Sequence, residues 1–206
     1  MIRLAVAPGP PTARRPRRVV RPGSASEIGQ SVCVNDADHE RCSACGFDGS
    51  DYDNSSLVEA IVGLGSRWRA LLIEAAPELR VRPGPETWSA IEYAAHNRDI
   101  TALHVFGVEQ ALTEDEPVYP AIEADALLEA SAATYRDEDP DAVVAQLDRE
   151  ARRLAAIATT AGAADWSRGI TIGEDRSTVR RLLEHALHDS VHHLDDVERG
   201  LHSLRS

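Results

Sequence analysis

The sequence predicts an all-α four-helix bundle, and three observations carry that prediction. Apolar positions recur at steps of three and four through four long segments, and cap residues, prolines and glycines stand where those segments begin and stop. The core is supplied mainly by Ala, Leu, Val and Ile, with only three Trp, four Tyr and two Phe in 206 residues, a composition suited to packed helices.

Residues 1–30 are rich in Pro and Arg and lack a sustained period, which predicts a disordered tail. Residues 31–53 form a polar segment with a knuckle-like turn at Cys42-Ser-Ala-Cys45-Gly46, and from 54 to 206 the pattern is helical. Asn54 or Ser55 can cap a first helix through Leu57, Ile61, Leu64, Trp68, Leu71 and Leu72, ending before Pro77. Thr87-Trp88-Ser89 opens a second, through Ile91, Ala95, His96, Ile100, Leu103 and Phe106 to about Leu112. A long connection follows, with a short helix expected over 121–135, before Asp139-Pro140 starts a third helix that stops near Gly162. A crossover of that length lets neighbouring helices run parallel. Asp165 to Asp175 reads as a loop, and Ser177 can cap the last helix, Thr178 to about Leu204.

Charge and composition narrow the function classes. The chain carries a formal −12, and six of its 22 basic residues lie within residues 1–22, so the body is more acidic still and a poor nucleic-acid binder. Every basic residue is Arg, which excludes Schiff-base chemistry on Lys. No apolar run approaches the roughly 20 residues of a membrane span, and the Arg-rich start has no signal-peptide core, so a soluble cytoplasmic protein is expected. Three cysteines within residues 33–45 suit reduced thiols or metal ligands better than a disulfide scaffold.

Within the last helix, the run from 185 to 193 holds four of the eight histidines, His185, His188, His192 and His193. His188 and His192 are one helical turn apart, so both imidazoles can reach one divalent ion. On a helical wheel they share a polar stripe with His185, Asp195 and Arg199, whose simplest reading is a solvated face. A third ligand has to come from elsewhere, and His96 on the second helix is the inward candidate. His104 is offset by about 80° on the same helix, too far round for the same point.

Trp88-Ser-Ala-Ile-Glu92-Tyr93-Ala-Ala-His96-Asn97-Arg98-Asp99, followed later by His188-Asp189-Ser-Val-His192-His193-Leu-Asp195, resembles the DinB superfamily, which includes the N-terminal domain of mycothiol-dependent maleylpyruvate isomerases. The resemblance covers residues 55–204. It implies an up-down-down-up bundle with a long crossover between helices 2 and 3, and a divalent metal, Zn or Ni, on His96, His188 and His192. Asp189 and His193, also one turn apart, are the alternative pair, and Asp99 and Asp195 are candidates to orient a ligand imidazole from behind. It further implies a low-molecular-weight thiol cosubstrate such as mycothiol or bacillithiol, activated for transfer to, or isomerisation of, a small electrophile. The contrasting expectation is a non-catalytic metal-binding or stress-associated interaction protein, a homodimer through its outer helix faces. A plain bundle without metal is the third reading.

The family pattern does not require the Cys segment. Cys33, His39, Cys42 and Cys45 together offer four donors to an accessory zinc, although one Cys-x2-Cys pair is only half of a usual knuckle and plain reduced cysteines are the simpler reading.

Overall fold

The computed structural model describes residues 33–35, 39–121 and 134–206, with backbone alone for 33–35. The tail expected over 1–30 and most of the short helix expected over 121–135 lie outside the described residues. The order is β1 (Cys33–Asn35), β2 (Glu40–Cys42), α1 (Asn54–Glu74), α2 (Ala90–Thr113), β3 (Val118–Tyr119), α3 (Pro140–Thr160), β4 (Gly169–Ile172), β5 (Asp175–Thr178) and α4 (Val179–Arg205).

Local chemistry sets each helix start. Asp53 caps α1 by accepting from the Ser56 N–H at 2.7 Å, one residue earlier than expected. Ser89 opens α2 in a capping box, its N–H donating to Glu92 Oε2 at 2.9 Å. Asp139 caps α3 with Pro140 in its first turn. Thr178 rather than Ser177 caps α4, accepting from the Arg181 N–H at 3.2 Å. The expected loop over 165–175 is in part a hairpin, β4 antiparallel to β5 across Gly173 (φ 65°), with β3 added parallel to β4. Strands of four residues or fewer are too short to show a clear two-residue alternation in sequence.

Ion pairs and contacts between helix ends give the directions. Arg98 to Glu138 near the starts and Arg153 to Glu109 near the ends make α2 and α3 parallel. Arg180 to Asn54 at the starts and Arg205 to Glu74 at the ends make α1 and α4 parallel. His96, early in α2, meets His193, late in α4, so those two helices are antiparallel. The bundle is therefore up-down-down-up, as the family resemblance implies.

The core follows the apolar stripes of α1, α3 and α4, with Trp68 fully buried and its indole N–H donating to Ser190 Oγ at 2.8 Å. On the second helix His96 is buried as expected, but Leu103 and Phe106 are exposed, whereas Asn97, Thr101 and His104 are buried. Packed against both α3 and α4, α2 buries more than one narrow stripe, and part of that wall is polar.

The Cys segment is fastened to the first half of α4 through Glu184, which is fully buried. Its carboxylate accepts from the Glu40 N–H at 2.8 Å, His39 Nδ1 at 2.7 Å and Arg180 Nε at 2.6 Å. Arg180 in turn donates to the Gly49 and Tyr52 carbonyls at 2.9 and 2.6 Å. A Cβ at Gly49 would stand 2.5 Å from the Glu184 carboxylate, so only glycine lets the segment pass this close.

Candidate metal centre

Successive residues of an α-helix point about 100° apart, so α4 aims its two pairs in different directions. Asp189 and His193 face α2, and His188 and His192 face the Cys segment. Three donor clusters result among the described residues: His96, Asp189 and His193; Cys42, Cys45, His188 and His192; and Glu40, His185 and His188. In each, the candidate ligand atoms lie within 4.8 Å of one another.

This divides the set expected from sequence. His96 turns inward as anticipated, but it meets the alternative pair Asp189 and His193 rather than His188 and His192. The reason is angular: His188 lies one step back round the helix, on the side covered by residues 40–47. His96 Nε2 is 4.0 Å from Asp189 Oδ2, and His193 Nε2 is 3.5 Å from Asp189 Oδ1. Asn97 Nδ2 donates to Asp189 Oδ2 at 3.3 Å. Trp88 and Tyr93 wall the cluster, their rings 5.3 Å from His96 and 4.9 Å from His193.

The orienting carboxylate is neither Asp99 nor Asp195. Asp99 accepts from Arg98 and from Tyr135 Oη at 2.7 Å, and Asp195 accepts from Arg199 at the surface. Asp196 takes the role instead: its Oδ2 accepts from His193 Nδ1 at 2.9 Å and lies 3.7 Å from His192 Nε2. Its signal in the sequence is its place three and four residues after the two adjacent histidines.

The donors fit a divalent ion. Burial holds the His96 pKa below its usual range despite the pull of Asp189, so the imidazole is neutral with a lone pair to give, and its Nδ1 is buried with no hydrogen-bond partner. Burial opposes ionisation of Asp189, but the charge and hydrogen bond of His193, with the charges of His96 and His185, together outweigh it and hold the carboxyl well below the carboxylate range. Burial likewise opposes charge on His193, yet Asp189 and Asp196 lift it to about 9. A divalent ion competes with that proton for the same nitrogen.

The Glu40 cluster is closed by hydrogen bonds. Oε1 accepts from His185 Nδ1 at 2.7 Å and from His188 Nδ1 at 2.5 Å. Burial works against the Glu40 charge, but these imidazoles bring its pKa to about 2. His39, offered by the sequence as a zinc donor with the cysteines, is committed to Glu184 instead. Cys33 is described only by its backbone register opposite Cys42.

The family model of the DinB superfamily matches residues 60–197. This chain belongs to the DinB superfamily. Among solved structures the chain is similar to YfiT from Bacillus subtilis, described as a probable metal-dependent hydrolase with an unusual four-helix bundle topology. The two share 16% identity at a TM-score of 0.65, over 73% of this chain and 87% of YfiT. No curated protein matches the DinB chain in sequence. No helix among its described residues is long and apolar enough to cross a membrane.

Proposed function

We propose that this protein is a divalent-metal enzyme, with Zn or Ni on His96, Asp189 and His193, that activates a low-molecular-weight thiol for transfer to, or isomerisation of, a small electrophile. The observation that carries the reading is the donor count: two imidazoles and one carboxylate converge from two antiparallel helices, leaving coordination positions for a small molecule. A bound ion there would supply Lewis acidity and lower the pKa of a water or thiol that reaches it.

The chain's own side chains prepare the place. Asp196 fixes the His193 ring through Nδ1, which leaves Nε2 as the ligand atom. Asn97 steadies the Asp189 carboxylate. Trp88 and Tyr93 exclude water from one side. Burial and the nearby Asp196 charge raise Tyr93 to about 12, so it stays a neutral phenol able to donate a hydrogen bond to an incoming anion.

The test has two stages. Metal content is measured on full-length, tag-free protein beside His96→Ala and His193→Ala, and the reading requires both variants to lose one equivalent. Mycothiol, bacillithiol and glutathione are then offered with electrophiles, and simple esters and amides with water alone. Metal-dependent consumption of thiol supports the reading, and ester or amide cleavage without thiol replaces it with hydrolysis. Metal bound with silence across both panels replaces it with the non-catalytic metal-binding protein.

A further inference from the structure

The second cluster on α4 differs from the first in kind. Cys42 and Cys45 contribute sulfur, and His188 and His192 contribute nitrogen, making four protein donors within 4.8 Å of one another. Cys42 Sγ stands 3.7 Å from His192 Nδ1. Tetrahedral zinc with Zn–S of about 2.3 Å and Zn–N of about 2.0–2.1 Å places such a pair about 3.6 Å apart.

An independent observation points at the same centre. His188 is 3% exposed, and its Nδ1 proton is committed to Glu40, so Nε2 carries the lone pair. That Nε2 is buried and faces the Cys42 sulfur, a weak hydrogen-bond partner that leaves a costly arrangement for a polar atom unless an ion completes it. A carboxylate behind the imidazole is the usual support of a metal-ligating histidine.

The turn has the shape that zinc requires of a Cys-x2-Cys pair. Gly46 has φ 75°, its N–H donates to the Cys42 carbonyl at 2.9 Å, and the Cys42 N–H donates to the Phe47 carbonyl at 2.9 Å. The Phe47 N–H hydrogen-bonds the Cys45 sulfur. Phe47 then stacks on His188 with ring centroids 5.1 Å apart, seating the turn on α4.

We infer that Cys42, Cys45, His188 and His192 bind one zinc ion that clamps the Cys turn to α4, separate from the His96 cluster. Two thiolates and two imidazoles fill a tetrahedron, so this ion has a structural role, and the soft sulfurs favour zinc over harder ions. Residues 39–53 contribute few apolar side chains to the core, and an ion supplies the fastening that so small a segment lacks.

The test uses full-length, tag-free protein reconstituted with zinc chloride, beside Cys42→Ser/Cys45→Ser and His96→Ala. X-ray absorption at the zinc edge should show sulfur scatterers at about 2.3 Å in the wild type, and two per zinc in His96→Ala, where the sulfur site alone is filled. His96→Ala should keep one equivalent of sulfur-bound zinc, and the double Cys variant should lose it. Zinc without sulfur scattering, equal zinc in wild type and the double Cys variant, or no zinc in His96→Ala each overturns the inference. If the double Cys variant fails to fold, cobalt-substituted wild type decides: a thiolate-to-cobalt charge-transfer band supports the site, and its absence overturns it.

Discussion

Two faces of one helix, a single residue step apart, carry opposite designs. Toward α2, Asp189 and His193 meet one further donor, and the cluster stays open beneath Trp88 and Tyr93. Toward the Cys segment, His188 and His192 meet two sulfurs and the donor set is complete. Donor number and softness separate a place where chemistry can occur from one where a segment is fastened. The carboxylates follow the same division: Asp189 is a ligand candidate on the open face, whereas Glu40 stands behind a ligand on the closed one.

The contrast breaks most severely at Glu184. Glu184→Ala removes the buried acceptor of His39, Arg180 and the Glu40 N–H and should cost about 3–5 kcal/mol in urea unfolding. Closed-face zinc should be lost with it. His193→Ala should weaken open-face metal binding by roughly 100-fold or more in competition titrations, since even residues behind metal ligands are worth about 10–100-fold. The sulfur-bound zinc should remain. Glu40→Gln keeps the shape behind His188 but removes the charge, and closed-face zinc affinity should fall about 10-fold, with a smaller change at the open face.

The smallest effect concerns His104, offset on α2 from the direction of His96. It is buried, donates from Nδ1 to the Ile100 carbonyl at 2.8 Å and packs on His185. Burial first, then the charge of His185, lowers its pKa to about 4, with Asp189 and Glu40 opposing the shift. The folded state thus binds fewer protons than the unfolded chain between pH 4 and about 6.5, so this contribution to stability is full above that window and is lost as pH falls through it. His104→Gln should flatten the decline between pH 7 and pH 5 by on the order of 1 kcal/mol; an unchanged slope would assign the decline elsewhere.

Much of this was legible in the residues because it is local. Helix period, Ser89 with Glu92, and Asp139-Pro140 each act within a turn of chain, and the four helices follow from them. The choice between the two pairs on α4 was not local, because 188 with 192 and 189 with 193 have the same spacing. Only the position of α2 decides which meets His96. The partners of the cysteines were hidden for a related reason: Cys42 and His192 are 150 residues apart, so a search confined to residues 33–45 could supply only Cys33 and His39. The polar stripe containing His188 looked solvated because nothing in its pattern shows that residues 40–47 cover it.

Asp196 has a consequence for how the two faces behave together. One of its oxygens sits 2.9 Å from His193 Nδ1 and 3.7 Å from His192 Nε2, while the other accepts from Arg199. A change of charge at either ring is therefore felt by the other through a single atom, at a range where solvent ions screen little. Ions on the two faces would be thermodynamically linked, each altering the affinity of the other by the same factor, and a chelator would strip them in coupled rather than independent steps.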